Sequence, residues 1–456
     1  MMDKESTHST PPADKRRAYL PVSYKLVLAT LAAFAWCGLS LYLALPWIDD
    51  LSSVVTPIPA WLAVIGVALI PGFANAFLVA GLLLDKRPVY QHKHPLPPVS
   101  ILVAAYNEES SLAGTLDTLL RQEYHSPVEI IVIDDGSTDR TAAIVKDIMG
   151  QTHPHPHFTL QLVRVPKNNG KANALNTGLK QAKHDLIVTV DADTWMRQGS
   201  LAAIVRHLVD GPSSTAAVAG TVLVRNSRKN FLTRLQEWDY FHGIAVTKRI
   251  QSLFQGTLVA QGAFSIYRRN ILEELGGWPP TLGEDIVLTW GMLTKGYRIG
   301  YAENAFVFTN VPESYKQFYR QRKRWSRGLI EAFKHHPGVL IKPRFNTPFI
   351  YLNLLFPYLD LAFLLVLVPG LIAAVFFQYY LVVGLLTLIL IPLILLVNTI
   401  MFTHQRSIFR QYGLKVRRNL AGFLWYTLIY QLLMSPASLV GYSAELFNMR
   451  KKWGTK

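Results

Sequence analysis

The chain is almost free of cysteine and lacks the common glycine-rich phosphate loops. Cys37 is the only cysteine among 456 residues, and it lies inside an apolar run. A disulfide framework and a cysteine metal site are therefore excluded. The sequence contains no Gly-x-Gly-x-x-Gly or Walker-type loop, so dinucleotide-binding and P-loop functions have no direct support.

Acidic residues are also few, and the excess positive charge is concentrated beside hydrophobic runs. There are 46 Lys and Arg against 30 Asp and Glu, which gives a net charge of +16. The basic clusters are Lys15 to Arg17, Lys86 with Arg87, Lys415 to Arg418, and Arg450 to Lys452. Basic residues beside apolar runs are typical of membrane proteins, in which they orient the spans. We therefore expect membrane lipid, and no nucleic acid, as a partner.

Charge is missing altogether from two long stretches near the N-terminus. The two stretches without a charged side chain are Leu26 to Ile48 and Ile58 to Leu84. Each is longer than the about 20 residues that are needed to span a bilayer core. A cleaved signal peptide is a rival interpretation of the first run, but its apolar core is long and no small-residue cleavage site is evident. Basic flanks predict that the N-terminus and the following domain face the cytoplasm.

The C-terminal part contains further uncharged stretches. Leu361 to Thr403 is long enough for two spans joined near Gln378 to Tyr380, and Leu420 to Ala444 makes a third. Phe349 to Leu359, interrupted by proline, is predicted to be an interfacial helix. Five full spans would place the basic C-terminus outside, so we expect the last segment to be re-entrant or broken at Ser435-Pro436, with a cytoplasmic C-terminus.

Two smaller polar features have open interpretations. Asp360 stands at the edge of a membrane run, either at the interface where the span begins or lining a path for sugar. His153, His155 and His157 alternate with prolines, which fits either a metal tract or a solvated turn.

Between Pro95 and about Asn310, short β-branched runs alternate with segments of helical length. The predicted strands are Val99 to Ala104, Glu129 to Ile133, Leu160 to Val165 and Leu186 to Val190. The predicted helices between them are Ser110 to Arg121, Thr138 to Met149 and Lys171 to Lys183. This alternation predicts an α/β domain with a mostly parallel sheet and helices on both faces. Ligands of such sheets bind beyond the carboxyl ends of the strands.

Acidic motifs stand at those strand ends. Asp191 and Asp193 are two residues apart after the fourth strand, where hard carboxylate oxygens would suit Mg²⁺ or Mn²⁺. Asp134 and Asp135 follow the second strand and could accept hydrogen bonds from a base or a ribose; the sequence leaves open which of them faces inward. An aspartate at a strand end can simply hold a turn, but three such motifs, including Tyr106 to Glu109, favour a site.

Two further motifs begin predicted helices. Gly170-Lys171 could present backbone amides and an ammonium to an anion, or the lysine could simply be solvated. Asp285 follows Glu284 near the start of an apolar helix, Ile286 to Leu293. It could cap that helix, or it could take the proton from an acceptor hydroxyl.

The pentapeptide Gln321-Arg322-Lys323-Arg324-Trp325 places three cations and an indole just before the membrane region. As part of an interfacial amphipathic helix it needs no catalytic role. Alternatively, Arg324 could neutralise a departing diphosphate and Trp325 could stack on a sugar ring.

Taken in order, these motifs resemble those of the membrane-embedded family 2 glycosyltransferases, which include cellulose, chitin, hyaluronan and poly-N-acetylglucosamine synthases. The matching residues are Asp134-Asp135-Gly136, Asp191-Ala192-Asp193, Glu284-Asp285 and Gln321 to Trp325, and the resemblance covers roughly Pro97 to Gly328. Within the family, the layout is most similar to poly-β-1,6-N-acetylglucosamine synthases. The surroundings of Lys171 and Asp285 also resemble chitooligosaccharide and hyaluronan enzymes.

The resemblance implies a GT-A fold, a UDP-sugar donor, Mg²⁺ or Mn²⁺, and an inverting transfer onto a growing polysaccharide. The donor would be held by Tyr106, Glu108, Asp134, Asp135, Lys171, Asp191 and Arg324. Asp193, with Asp191, would hold the metal, and Asp285 would be the general base. The acceptor would be held by Glu284, Gln321 and Trp325.

We therefore expect a processive glycosyltransferase in the bacterial plasma membrane that polymerises a UDP-sugar, UDP-N-acetylglucosamine in the favoured case, and passes the β-linked product across. An accessory membrane subunit is a further candidate partner. The alternatives are a synthase of short chitin-like oligosaccharides, of a hyaluronan-type polymer or of a glycolipid, and lastly a non-catalytic transporter. The expected layout is a tail at 1–25, two spans within 26–84, a GT-A domain at 95–315, interfacial helices at 316–360, about three membrane segments within 361–445, and a basic tail at 446–456.

Overall fold

A computed structural model of the chain describes residues 20–86, 95–151, 155–383, 385–414 and 419–450. Several predictions fall outside these ranges. They concern the N-terminal tail up to residue 19, Arg87, His153, the basic residues between 415 and 418, and the tail from residue 451.

Eight strands form one mixed sheet in the order β3-β2-β1-β4-β7-β6-β8-β5. Their bounds are β1 Val99–Ala105, β2 Val128–Asp135, β3 Phe158–Val165, β4 Leu186–Val190, β5 Trp195–Met196, β6 Thr215–Val224, β7 Phe264–Arg268 and β8 Arg298–Thr309. The strands β1 to β4 pair in parallel, as do β6 and β8, whereas β7 runs antiparallel to both of its neighbours. The predicted α/β architecture with a mostly parallel sheet is confirmed.

Sixteen α-helices are present in the described ranges, three pairs of which are joined by a π-helical turn. The first eight are α1 Val22–Val55, α2 Pro57–Val64, α3 Ile70–Leu83, α4 Leu112–Leu120, α5 Thr141–Met149, α6 Lys171–Gln181, α7 Ser200–Val209 and α8 Phe231–Tyr240. The others are α9 Thr247–Leu253, α10 Arg269–Glu274, α11 Glu284–Thr294, α12 Tyr315–His335, α13 Thr347–Ala362, α14 Val368–Phe377, α15 Leu385–Gln411 and α16 Leu420–Leu446.

The central strands are apolar at most positions because both faces of the sheet are covered. Ile101 and Leu102 are adjacent in β1, yet they belong to the cores on opposite faces. In β2, the adjacent residues Ile130 and Ile131 likewise belong to the cores on opposite faces. Burying each such side chain contributes roughly 1.5–3 kcal/mol, and this two-sided burial explains why the strands read as continuous hydrophobic runs.

The second half of the sheet was not predicted. β7 inserts between β4 and β6, although the helices α8 and α9 separate it from β6 along the chain. Sequence periodicity identifies apolar runs, but it does not show which of two distant runs pair, or in which direction.

Four helical runs are long and apolar enough to cross a membrane, as far as the described residues go. They are Val22–Val55, Pro57–Leu83, Thr347–Phe377 and Leu420–Leu446. The first two match the predicted N-terminal spans, and α15 occupies the second half of the long uncharged block.

The helix that precedes the long uncharged block differs from the expectation. α13, a π-helical turn and α14 form one run, Thr347–Phe377, which passes Pro357 and Asp360 without a break. The predicted interfacial helix, Phe349 to Leu359, is therefore the first part of a longer helix. The run ends at Gln378, whose positive φ of 52° stops the helix, close to the predicted junction.

Asp360 lies inside this run and is buried, with 4% exposure. Its Oδ1 accepts hydrogen bonds from Gln431 Nε2 at 2.8 Å and from Ser435 Oγ at 2.5 Å. The carboxylate thus joins α13 to α16 well inside the helical run that begins at Thr347, and not at the interface where that run begins.

The last helix, α16, is continuous through Ser435-Pro436, where a break or a re-entrant turn was expected. It lies beside α12 and runs in the same direction. Tyr315 Oη donates to the carbonyl of Leu433 at 3.3 Å, and Lys334 Nζ donates to Asn448 Oδ1 at 2.9 Å. At its start, Asn419 Nδ2 donates to a backbone carbonyl of α8 at 3.0 Å. Both ends of α16 therefore contact helices that pack on the sheet domain.

Candidate active site

The carboxyl ends of β1, β2 and β4 meet at one edge of the sheet. The register places Ala105 at the end of β1 beside Asp134 at the end of β2, and β4 pairs with the other side of β1. The turns that follow these strands carry the predicted donor-site residues, so the topology brings together motifs that extend from Tyr106 to Asp193, 87 residues apart in sequence.

The turn after β1 carries Tyr106 and Glu108. The Tyr106 ring is 45% exposed and is available to stack on a base. The Glu108 carboxylate accepts from Ser111 Oγ at 2.6 Å, and its backbone N–H donates to Thr141 Oγ1 at 2.8 Å. Asn107 between them has a φ of 54°, a left-handed conformation that asparagine tolerates. The turn is thus tied to α5 while Tyr106 projects outward.

Asp134 is fully buried at the end of β2. Its Oδ1 accepts from the backbone N–H of Ser137 at 2.9 Å, and its Oδ2 pairs with Arg164 Nε at 3.1 Å. It therefore holds the turn after β2 and an arginine of the neighbouring strand.

Asp135 holds a different loop. Its two oxygens accept from the backbone N–H groups of Asn169 at 3.1 Å and Gly170 at 2.8 Å. Burial raises the pKa of Asp135, although these two hydrogen bonds oppose the shift. Both carboxylates therefore hold turns, and Asp135 holds the loop that precedes Lys171.

Lys171, the first residue of α6, connects two acidic motifs. Its ammonium pairs with Asp191, and it lies 3.8 Å from Glu284 Oε1. Although burial by itself lowers the pKa of Lys171, these carboxylates raise it above its ordinary value, so the lysine stays charged. Gly262 makes room for it, because a Cβ there would stand 2.5 Å from Lys171 Nζ.

Asp193 lies behind Asp191 and is hydrogen-bonded to Thr309 Oγ1 at 3.2 Å. Burial, followed by the charges of Asp191 and Glu108, raises its pKa to about 6. Mutual repulsion of this kind is what a bound cation would relieve. Within the described ranges, no group of three or more His, Cys, Asp or Glu side chains is arranged to hold a metal alone. A cation here would need substrate oxygens, which is usual for Mg²⁺ beside phosphates.

Glu284 and Asp285 begin α11. Asp285 Oδ2 accepts from the backbone N–H of Gly262 at 3.2 Å, and its Oδ1 accepts from Ile286 N–H at 2.8 Å. Burial raises the pKa of Glu284 to about 7, although the charges of Lys171 and Arg324 oppose the shift. Glu284 therefore stands between the lysine of the donor side and the arginine of the pentapeptide.

Two glycines, which have no side chain, allow the backbone of the loop before α11 to contact the backbone of α12. A Cβ on Gly283 would stand 2.6 Å from the Cα of Gly328. In addition, the backbone N–H of Gly283 donates to Glu331 Oε2 at 3.0 Å. The backbones thus touch directly, and this contact fixes Asp285 relative to the pentapeptide on α12.

The pentapeptide forms part of α12, and its side chains point in different directions. Trp325 is 42% exposed, whereas Arg322 is buried. The Gln321 Oε1 atom is buried and has no hydrogen-bond partner among the described residues. An unsatisfied acceptor of this kind is costly unless a ligand supplies a donor.

Several residues around the site were not singled out from the sequence. Asp239 pairs with Arg322 at 2.8 Å, and the Tyr240 ring centroid is 6.3 Å from that of Trp325. Burial raises the pKa of Tyr240 to about 12, so it remains a neutral phenol. The others are Gly262, Thr309, Gly328 and Glu331. None belongs to a recognisable motif, because each acts through a contact between segments distant in sequence.

Comparison with known proteins agrees with this arrangement. The glycosyl transferase family 2 profile matches residues 100–276. A poly-beta-1,6-N-acetyl-D-glucosamine synthase from Staphylococcus epidermidis is 28% identical over 367 residues, or 78% of this chain and 85% of the relative. The synthase of the same name from Staphylococcus aureus strain COL is 32% identical over 265 residues, or 58% of this chain and 60% of that relative.

One solved structure shares the fold. The mannosyltransferase PcManGT from Pyrobaculum calidifontis, in complex with GDP-Man and Mn²⁺, superposes with a TM-score of 0.53 at 19% identity, covering 94% of this chain and 100% of that one. The likeness supports the GT-A type of sheet. Asp285 and the pentapeptide lie beyond the profile match, which ends at residue 276.

Proposed function

We propose that the chain is a processive, inverting family 2 glycosyltransferase that makes a β-linked polysaccharide, because the glycosyl transferase family 2 profile matches residues 100–276. UDP-N-acetylglucosamine is the proposed donor, because the named Staphylococcus relatives are poly-β-1,6-N-acetylglucosamine synthases. The alignment with the strain COL relative spans 60% of that protein's length.

One structural observation carries the proposal. Lys171 pairs with Asp191 and lies 3.8 Å from Glu284, and Glu284 in turn lies within electrostatic reach of Arg324. The donor, base and acceptor motifs therefore form one continuous cluster. A transferase that joins two substrates needs this arrangement, since holding both in line supplies much of the rate.

Asp193 and Asp191 are the residues proposed to hold a divalent cation. Their fit rests on the burial of Asp193 and on the neighbouring charges of Asp191 and Glu108, which together raise its pKa. A bound Mg²⁺ or Mn²⁺ would offset negative charge on the donor diphosphate. Lys171 and Arg324 would supply positive charge beside the same group.

On the donor side, Tyr106 is proposed to stack on the base. Asp134 and Asp135 shape its surroundings, because they hold the two turns that border this edge of the sheet. Glu108 is placed to contact the ribose or to assist Asp193, whose pKa it influences.

The proposed transfer uses Asp285 as the general base. The acceptor hydroxyl oxygen attacks the anomeric carbon, its proton passes to the Asp285 carboxylate, and the bond to the diphosphate breaks. UDP then leaves with the bonding electron pair. The two backbone hydrogen bonds to Asp285 aim its carboxylate without neutralising it. Glu284, Gln321 and Trp325 would hold the acceptor end of the chain.

We also propose that the product crosses the membrane beside the catalytic domain, with that domain in the cytoplasm of a bacterial cell. α12 is followed, after the short segment 336–346, by the long helical run Thr347–Phe377. The buried contact of Asp360 with α16 supplies polar groups within that helical bundle.

Activity is tested with the purified full-length protein, Mn²⁺ or Mg²⁺ and a panel of labelled UDP-sugars. We expect a long polymer from UDP-N-acetylglucosamine that is degraded by a β-1,6-N-acetylglucosamine-specific hydrolase. Products of one to a few sugars, or label in lipid, would contradict processivity and support an oligosaccharide or glycolipid synthase. Polymer from a different UDP-sugar would overturn the assignment of the donor.

Translocation is tested in proteoliposomes that expose the catalytic domain outside. Polymer made there should become protected from added hydrolase. Polymer that is fully degraded without detergent would show release on the catalytic side.

A further inference from the structure

A partly open cavity of about 610 Å³ lies where the sheet domain meets the starts of two candidate membrane spans, away from the catalytic cluster. It is bounded by the start of α1, the starts of β6 and β8, and the segment before α13. Its polar wall includes Arg298, Arg344 and Asn346, and its apolar wall includes Leu26, Phe254 and Phe345. The cavity is therefore amphipathic.

The two arginines face the cavity without an acidic partner. The Arg298 guanidinium has no hydrogen bond or ion pair with any residue that the structure describes, and Arg344 Nη1 donates only to the carbonyl of Tyr297, at 3.1 Å. Burial, followed by the charge of Arg298, lowers the pKa of Arg344. No Asp or Glu is among the described residues that line the cavity. Two like charges held together in this way favour an anion.

Asn346 adds a polar group whose hydrogen-bonding capacity is only partly used. It is 2% exposed, and its Oδ1 is buried without a partner among the described residues. Its Nδ2 donates to the carbonyl of Gly256 at 3.2 Å, which fixes the orientation of the side chain. The free oxygen can accept a hydrogen bond from a hydroxyl of a ligand.

The position of the cavity indicates where that ligand comes from. Leu26 belongs to the start of one candidate membrane span, and Asn346 directly precedes another, Thr347–Phe377. Ile341, three residues before Arg344, leaves 84% of its surface exposed. An exposed apolar side chain six residues before a span is typical of contact with lipid.

We propose that this cavity binds an anionic glycerophospholipid, with the phosphate at Arg298 and Arg344, a head-group hydroxyl at Asn346 Oδ1, and the first part of an acyl chain along Leu26, Phe254 and Phe345. Phosphatidylglycerol has this combination of groups. Basic pockets beside membrane helices bind anionic head groups in the same way. The bound lipid would brace the domain against the starts of both spans.

The test is native mass spectrometry of the full-length protein in detergent, titrated with phosphatidylglycerol, phosphatidylcholine or inorganic phosphate. Wild-type protein should bind one phosphatidylglycerol in preference to phosphatidylcholine. Arg298→Gln/Arg344→Gln should lower that affinity by about tenfold or more, because two charge-assisted contacts are lost. Arg298→Lys/Arg344→Lys should recover part of it. Arg121→Gln/Lys146→Gln, at an exposed position just after α4 and one on α5, removes the same charge and should bind lipid as wild type does.

Equal phosphatidylglycerol binding by wild type and the double glutamine variant would overturn the proposal. So would equal binding of phosphatidylcholine, or competition by inorganic phosphate alone, which would indicate a site for a soluble anion. Each variant is first checked for wild-type UDP binding. If the double variant does not fold, the single variant Arg298→Gln provides the test. The Arg298 side chain makes no hydrogen bond to a described residue, so its replacement should leave the fold intact. The readout is bound lipid and not polymer, so failure here leaves the proposed function intact.

Discussion

The guanidinium of Arg322 lies over the indole of Trp325, with its Cζ atom 4.1 Å from the ring centroid. Asp239 holds the cation from another side at 2.8 Å. A cation over an indole face contributes roughly 0.5–2 kcal/mol. We therefore propose that Arg322 is a positioning residue that keeps the exposed Trp325 ring in the orientation that stacking on a sugar would require.

We expect Arg322→Gln to raise the KM for an oligosaccharide acceptor by about tenfold and to shorten the polymer, while UDP affinity stays unchanged. Lys316→Gln, on an exposed face of the same helix, is the control. Loss of one partner of a buried ion pair costs about 3–5 kcal/mol, so thermal stability is measured alongside. The double variant Asp239→Asn/Arg322→Gln removes both charges and separates stability from positioning. An unchanged acceptor KM and polymer length in stable protein would refute this role.

The general-base assignment makes a second prediction. Asp285→Asn keeps the size of the side chain and can keep one of its two backbone hydrogen bonds, but it removes proton acceptance, so turnover should fall by about 10²–10⁴-fold. UDP affinity, measured by calorimetry, should change little. Glu273→Gln on the surface of α10 is the control. Substantial turnover in the Asp285 variant would show that another group accepts the proton of the acceptor hydroxyl.

Metal affinity should depend on pH through Asp193. A cation binds the deprotonated carboxylate, and the pKa of this carboxyl in the metal-free protein is raised to about 6. Mn²⁺ affinity should therefore be fully present above about pH 7 and fall by up to about tenfold per pH unit below the pKa. Titrations at a series of pH values measure this. Asp193→Asn should bind Mn²⁺ weakly with a flatter profile, and an equally flat wild-type profile would contradict the assignment.

The backbone contact between Gly283 and Gly328 should tolerate no side chain. Gly283→Ala places a Cβ 2.6 Å from the Gly328 Cα, so the loop carrying Asp285 must move away from α12. We expect a loss of turnover larger than the loss of stability, since misplacement near 1 Å can cost about 10²-fold. Gly243→Ala is the matched control, because a Cβ there meets nothing within 4 Å. Equal activity of the two variants would show that the contact has no functional weight.

The packing of α16 predicts on which side of the membrane the C-terminus lies. Arg327 on α12 pairs with Glu445 near the end of α16 at 3.0 Å, and both side chains are buried. The end of α16 should therefore lie on the same side as the catalytic domain. In a Cys37→Ser background, Met449→Cys and Met149→Cys should both react with a membrane-impermeant maleimide only after permeabilisation. Labelling of the Met449 variant alone in intact cells would place the C-terminus outside.

The sequence was sufficient to predict the strands in the first half of the sheet domain and to identify the motifs that follow them. Strand runs such as Leu186 to Val190 are short, apolar and followed by acids, so their local pattern already shows the strand and its end. The expected fold class and the family resemblance are both confirmed. The roles of the individual site residues remain proposals, supported by their placement in one cluster.

What the sequence by itself determined was therefore local: which segments are strands or apolar helices, and which side chains could do chemistry. The tertiary structure decided how they combine. It showed that Asp134 and Asp135 both hold turns, that Lys171 joins Asp191 to Glu284, and that α16 lies along α12. Residue types and spacing record the periodicity of a strand or a helix, but contacts between segments far apart in the chain depend on packing, which no local pattern encodes.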